Sequence, residues 1–280
     1  MIKGLGTALI TPFKEDKSVD YEALARLLDT QLTGFVDYLV VLGTTGEAAT
    51  LTADEKREVR EFIVKYVDGR LPLVLGVGGN CTAAVCESLH TTDMTGFEAI
   101  LSVCPYYNKP NQEGLYQHFG AVAEASPVPV ILYNVPGRTG VNLLPETVMR
   151  IWEAYPDKII GIKEASGNLE QIKRLIGLSA QRSVLCQRSG LLVISGDDGI
   201  ACEVMEAGGA GLISVASNAF PEDFWHIVHD KNAALQAQYA ETIRLLFVEG
   251  NPTGIKAFLA KKGIIQNYLR LPLVPASFTL

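Results

Sequence analysis

Between Gly4 and His229 the sequence changes period eight times, each time passing from a short apolar run to a longer stretch with helical spacing. The strand-like runs are Gly4 to Pro12, Tyr38 to Leu42, Leu73 to Val77, Ile100 to Cys104, Val130 to Asn134, Ile159 to Lys163 and Gly211 to Val215, with a seventh in chain order supplied by either Val184 to Cys186 or Leu192 to Ser195. Between them, Asp20 caps a helix to Leu32, and Thr52-Ala-Asp-Glu55 forms a capping box that opens a helix to Val67. Further helices are expected over Thr82 to Thr92, Gln112 to Ala125, from Pro145 onward, Leu169 to Leu178, Ala201 to Ala207 and Pro221 to His229. Eight such units predict an α/β fold in which parallel strands close into a (β/α)8 TIM barrel. Asn232 to Val248 and Thr253 to Lys262 read as additional C-terminal helices, so the expected division is a barrel domain over 1–230 and a helical extension over 231–280.

Bulk properties exclude several classes of function. A net charge of −7 with no basic stripe argues against nucleic acid as a partner. No apolar run approaches the ~20 residues that span a bilayer, and the run before Pro12 is too short for a signal peptide; a soluble, cytoplasmic protein is expected. The five cysteines (Cys81, Cys86, Cys104, Cys186, Cys202) show no paired spacing and read as reduced core thiols. The four histidines accompany no metal-ligand pattern, so no metal site is expected.

In a barrel of this kind the chemistry sits at the carboxyl ends of the strands. Those ends gather Gly43-Thr-Thr-Gly-Glu47, Pro105-Tyr-Tyr-Asn108, Tyr133-Asn-Val-Pro-Gly-Arg138, Lys163-Glu-Ala-Ser-Gly167 and Gly196-Asp-Asp198, without a histidine. Strand parity puts Ile160 and Ile162 on one face and Gly161, Lys163 and Ala165 on the other. A lysine between two very small residues has space around its amine. Buried with little competing charge, such an amine loses its proton more easily and can attack a ketone to form an imine. Alone, the pattern equally describes a strand-end lysine that snorkels to water.

The other loops carry the same double reading. Glycines flanking Thr44 and Thr45 allow backbone amides to converge into an anion nest, or simply make a tight turn. Tyr133, with Thr44 and Tyr107 as relays, is the available acid/base device where histidine is lacking, or else an aromatic plug. Arg138, held by Val135-Pro-Gly137, can grip a carboxylate or remain a solvated loop arginine. Gly196 is expected to offer backbone contacts, with Asp197 and Asp198 structural.

Taken together, Gly43-Thr-Thr-Gly-Glu47, Pro105-Tyr-Tyr-Asn108, Tyr133-Asn-Val-Pro-Gly-Arg-Thr-Gly140 and Ile162-Lys-Glu-Ala-Ser166 resemble the dihydrodipicolinate synthase and N-acetylneuraminate lyase superfamily of pyruvate-dependent class I aldolases. The similarity runs from Thr11-Pro-Phe13 to Arg270-Leu-Pro272. It implies that Lys163 forms an imine with pyruvate, that Tyr133 relays protons with Thr44 and Tyr107, and that Thr45 holds the pyruvate carboxylate. Gly196 and Ile213 match substrate-pocket positions, and Tyr107 matches a tyrosine that reaches into the neighbouring subunit, implying a homodimer or a homotetramer built as a dimer of dimers. Arg138 matches the synthase branch, in which an arginine binds the carboxylate of the aldehyde. The implied reaction is condensation of pyruvate with L-aspartate-4-semialdehyde, the first committed step toward diaminopimelate and lysine, with no cofactor beyond the covalently held pyruvate.

Three departures carry expectations of their own. Lysine-inhibited members have a glutamate where this chain has Ala84 and histidines at Ala53 and Lys56, so weak feedback inhibition is expected although Asn80 and Tyr106 are present. Gln181 to Gly190 resembles an insertion before the seventh strand. The sequence stops at Leu280, where similar proteins continue into a further helix, and a weakened subunit contact or exposed apolar surface is expected. A sister aldolase of 2-keto-3-deoxy sugar acids is the nearest rival. A phosphate-binding isomerase using Gly208-Gly-Ala-Gly211 and a catalytically dead sensor fit the same residues less well.

Overall fold

The computed structural model describes residues 2–187 and 189–278. Its eight strands hydrogen-bond in chain order into a closed barrel, and the pairings of β1 with β2 and of each strand from β3 to β7 with the next are parallel. The expected (β/α)8 architecture with C-terminal helices is what the chain adopts. Two compact units divide it, one running to Leu73 and resuming at Ile213, the other covering Val74–Leu212.

The first unit opens with β1 (Gly4–Ala8), α1 (Tyr21–Gln31), β2 (Tyr38–Val41) and α2 (Ala53–Val67). Asp20 accepts the Ala23 amide at 3.0 Å, and in the capping box Thr52 and Glu55 satisfy each other's amides at 3.2 and 2.9 Å. Each such cap stabilises a helix start by about 1 kcal/mol. Gly6 has no substitute, because a Cβ there would lie 2.3 Å from the fully buried ring of Tyr38.

The second unit begins in β3 (Leu73–Gly76) and continues through α3 (Thr82–Thr91), β4 (Ala99–Val103), α4 (Gln112–Ala125), β5 (Val130–Asn134), the single turn α5 (Pro136–Thr139), α6 (Pro145–Ala154), β6 (Ile159–Glu164), α7 (Leu169–Cys186), β7 (Leu192–Ser195) and α8 (Ala201–Glu206). Val130, Ile131 and Leu132 are fully buried, as expected of a parallel strand covered on both faces.

After β8 (Gly211–Ser214) the chain returns to the first unit with α9 (Pro221–His229), α10 (Ala233–Gln238), α11 (Ala240–Phe247) and α12 (Thr253–Lys261).

Several expectations need correction. The seventh strand is Leu192–Ser195, and Val184 to Cys186 close a longer α7 instead. Much of the suspected insertion is therefore two more helical turns, with Val184 and Leu185 exposed. The segment Asn232 to Val248 is two helices, because Tyr239 ends one and begins the other while its hydroxyl bonds Asp223. β1 stops at Ala8, earlier than its apolar run suggested. Cys104 and Cys202 are buried, but Cys81 and Cys186 are exposed and so are not core thiols. Leu280 lies outside the described residues. Among the described residues no helix is long and apolar enough to cross a membrane.

In the first unit a polar frame backs the loop after β2. Lys256 and Glu47 pair with both side chains fully buried, and the Lys256 amine also donates to the Tyr268 carbonyl and lies 4.1 Å from the centre of the Phe13 ring. Burial pulls Lys256 down to about 8, although Glu47 opposes the shift. The Arg270 amide donates to Glu47, and its guanidinium clasps Glu55 at 2.8 and 2.5 Å while donating to the Lys17 and Thr50 carbonyls. The Arg270 clasp, aided by the Thr52 amide, holds the Glu55 carboxyl down at about 2 against an ordinary 4.5.

A carboxyl depressed in the fold contributes its full stability above its ordinary pKa and loses it as pH falls through the folded value. Arg270→Ala is therefore expected to lower stability by about 3 kcal/mol at pH 7. The gap to the unaltered protein should narrow as pH drops from about 4.5 toward about 2. Urea unfolding across that range reads it; a gap that holds constant to the acid end contradicts the assignment.

Candidate active site

The centre of the candidate site lies where β5 and β6 run side by side. Their register pairs Tyr133 with Lys163, so the two side chains emerge on one face of adjacent strands. Lys163 is 6 % and Tyr133 7 % exposed, and the lysine amine sits 4.5 Å from the centre of the tyrosine ring. No carboxylate pairs with Lys163 among the described residues. The space around it comes from its neighbours. Gly196, which follows β7, donates its amide to the Glu164 carbonyl at 2.8 Å. A Cβ on Gly196 would lie 2.6 Å from Ala165 and 2.8 Å from Lys163 Cε, so Lys163 and Ala165 share the face that parity assigned them. A buried amine with an aromatic face on one side and bare backbone on another can approach a planar carbonyl.

In the first unit, Thr44 to Gly46 form one tight 3-10 turn. The Gly46 amide donates to the Gly43 carbonyl and the Glu47 amide to the Thr44 carbonyl, both at 3.1 Å. Those amides are spent inside the turn, and the left-handed residue is Glu47, at φ 51°, rather than a glycine. The amides of Thr44 and Thr45 stand outside the turn's own bonding. Thr44 is exposed, while Thr45 is 2 % exposed and its hydroxyl oxygen accepts from Asn251 Nδ2 at 2.9 Å. With that acceptor position filled, the Thr45 hydroxyl has its proton to offer. Asn251 was not legible as a site residue; its place just before a proline and a helix start was the only signal.

Tyr107 follows β4 at φ 73°, its amide donating to the Thr139 carbonyl at 3.3 Å. Its ring is 87 % exposed and, among the described residues, makes no hydrogen bond or ring contact, so within the second unit Tyr107 does not join Tyr133. Arg138 is exposed on α5, a turn closed by amides of Arg138, Thr139 and Gly140 donating to Val135 and Pro136 at 2.9 to 3.1 Å. The Thr139 hydroxyl bonds the Val135 and Val141 carbonyls and locks the turn from inside. Ile213 is buried in β8, and Asp197 accepts the Gly199 amide at 2.8 Å, a local capping role.

The profile of the Dihydrodipicolinate synthetase family matches residues 1–279. A 4-hydroxy-tetrahydrodipicolinate synthase of Parabacteroides distasonis is 52% identical, with 98% of this chain and 92% of that protein covered. The crystal structure of dihydrodipicolinate synthase from Thermotoga maritima superposes with a TM-score of 0.93 at 41% identity, covering 99% of this chain and 94% of that one. A chloride-inhibited dihydrodipicolinate synthase from Acinetobacter baumannii, solved with pyruvate, gives a TM-score of 0.91 at 38% identity over 99% and 94%. Near-complete coverage at these identities, on the same barrel and with the lysine and tyrosine of the motif side by side, places this chain in the dihydrodipicolinate synthetase family.

Proposed function

We propose that this chain is a class I, Schiff-base lyase that condenses pyruvate with L-aspartate-4-semialdehyde to 4-hydroxy-tetrahydrodipicolinate, the committing reaction toward diaminopimelate and lysine. The observation that carries the reading is the buried Lys163 amine against the Tyr133 ring and the bare backbone of Gly196. The relatives' shared name supplies the product, and a related synthase was solved with pyruvate.

The chemistry follows from the groups in place. The Lys163 amine adds to C2 of pyruvate, and loss of water leaves an iminium whose nitrogen draws electrons from C3. Loss of a C3 proton gives an enamine, which attacks the aldehyde carbon. The new alkoxide takes a proton, and the amino group of the second substrate then closes on C2 and releases Lys163. Tyr133 is the proton carrier at this face, since a phenol beside the amine can both give and accept a proton. Thr45 holds the pyruvate carboxylate through the proton left free by Asn251. Arg138, on its locked turn, takes the carboxylate of the aldehyde in bidentate fashion. Gly196 and Ile213 are assigned to substrate contact through their backbone groups, and no group beyond pyruvate itself is needed as a cofactor.

Two roles depend on assembly. Thr44 and Tyr107 complete the proton relay, with Tyr107 supplied across a subunit contact in a homodimer or homotetramer. The exposure of Tyr107 on a strained left-handed backbone supports that reading, because a large aromatic ring left in water is costly unless something covers it.

Lys163→Ala is expected to abolish turnover of pyruvate and aspartate-4-semialdehyde, followed by NADPH loss through a coupled reductase, and to abolish the borohydride-trapped pyruvate adduct. An adduct on the unaltered protein without turnover would move the substrate to a sugar-acid aldehyde. Gly196→Ala should slow adduct formation by at least about tenfold in a folded protein, because the new methyl collides with the lysine stem; adduct formation at the unaltered rate would remove Gly196 from the site. With Ala84, Ala53 and Lys56 in place, an effector ammonium lacks a carboxylate and meets a like charge. Free lysine should leave turnover nearly unchanged up to millimolar concentration, and half-inhibition well below that would overturn the expectation.

A further inference from the structure

Behind the reacting pair, on the opposite face of the same two strands, lies a buried carboxylate that the chemistry above does not use. Glu164 follows Lys163 and Asn134 follows Tyr133, and the β5–β6 register pairs Asn134 with Glu164 as it pairs Tyr133 with Lys163. Both are fully buried. One residue further along a strand, they point toward the helix layer, where Gln171 of α7 meets them.

The bonding around Glu164 is one-directional. Its Oε1 accepts the Ser166 amide at 2.8 Å and Asn134 Nδ2 at 3.2 Å, and its Oε2 accepts the same Asn134 group at 2.9 Å and Gln171 Nε2 at 3.0 Å. Only donors face it, and among the described residues no lysine or arginine forms an ion pair with it. The donors are held in turn. Asn142 Oδ1 accepts from Asn134 Nδ2 at 2.7 Å and from Gln171 Nε2 at 3.1 Å, and Asn142 Nδ2 returns a bond to Gln171 Oε1 at 2.8 Å. Asn134 Oδ1 accepts the Leu143 amide at 2.9 Å, and the Asn142 carbonyl accepts from Gln112 Nε2 at 2.8 Å. Residues 142 and 143 belong to the segment that leaves the Arg138 turn.

Burying a carboxylate without a cation is costly unless every lone pair is satisfied, and this cluster satisfies them with neutral groups drawn from the ends of β5 and β6, the start of α7 and the segment after α5. Each of those pieces carries or adjoins a group of the proposed site: Tyr133, Lys163 and Arg138. We propose that Glu164 and Asn134 are positioning residues, a hydrogen-bonded clasp that holds Tyr133 and Lys163 in register for imine formation and ties the Arg138 turn to the same strand ends. The inference rests on Lys163 and Tyr133 as the reacting pair.

Glu164→Gln tests it with minimal change of shape. A carboxamide presents an NH2 group to Ser166, Asn134 or Gln171 donors whichever way it is turned, so the clasp loosens. Expected is a fall of about 10- to 100-fold in kcat and in the rate of borohydride-trapped adduct at Lys163, with KM for pyruvate shifting less than about threefold, because the carboxylate grip lies on Thr45. A purely structural role would lower the unfolding midpoint yet leave kcat intact well below it. Asn142→Ala, at the half-buried edge, keeps the carboxylate and its direct donors and should give a smaller loss of the same kind, so that a misfolded Glu164→Gln still leaves the clasp open to test.

Amide hydrogen exchange over Ile131 to Arg138, read on the same proteins without substrate, should quicken in Glu164→Gln and Asn142→Ala. Unchanged exchange with unchanged adduct rate overturns the clasp. Absence of adduct in the unaltered protein instead overturns the lysine reading, and the exchange result then decides the clasp by itself.

Discussion

Two parallel strands in register make pairs twice over, once on each face, and in β5 and β6 the two faces divide the labour. The inner pair, Tyr133 and Lys163, has the groups to which the proposed reaction is assigned; the outer pair, Asn134 and Glu164, is joined by hydrogen bonds. Because the side-chain period of a strand is two, neither pair can slip without the other slipping too. The small residues follow from the same geometry: Gly161, Ala165 and Gly196 clear the inner face so that a long amine can lie buried beside a ring.

The protein buries carboxylates in two different ways. Glu47 in the first unit meets a cation, Lys256, and the Arg270 amide, and the pair stands over the ring of Phe13. Glu164 in the second meets only neutral donors. An ion pair offsets desolvation by Coulomb attraction, which is strong but tolerant of direction, whereas amide donors offset it only at short range and correct angle. The neutral solution is thus the more exacting about position. It is found next to Lys163, and the ionic one is found beside the turn after β2.

Sequence pattern carried most of the architecture, because apolar runs of parallel strands and capped helices are strong local signals. Thr52 and Glu55 announced α2, and Pro145 announced α6. The face that Lys163 shares with Ala165 was legible from parity, whereas its burial beside Tyr133 was not. What was not legible depended on distant partners. Tyr239 splits a helix through Asp223, sixteen residues earlier, and Asn251 reaches Thr45 across more than two hundred positions. The extension of α7 through Cys186 was hidden because Gln181 to Cys186 carry no strong helical stripe, and their exposed valine and leucine resemble a strand. That the loop after β2 takes its left-handed residues at Leu42 and Glu47 was not legible either, since neither residue type favours that conformation.

The bond from Asn251 to Thr45 gives the C-terminal segment a part in the electrostatics of a turn made early in the chain. By filling the acceptor side of one hydroxyl, a residue just ahead of α12 fixes which way that hydroxyl's dipole points, and so which sign of ligand it can greet. The connection between α11 and α12 thereby sets the polarity of a buried hydroxyl in the turn after β2. Replacing Asn251 by an apolar residue of similar size would preserve the shape of the turn and lose its sense of charge.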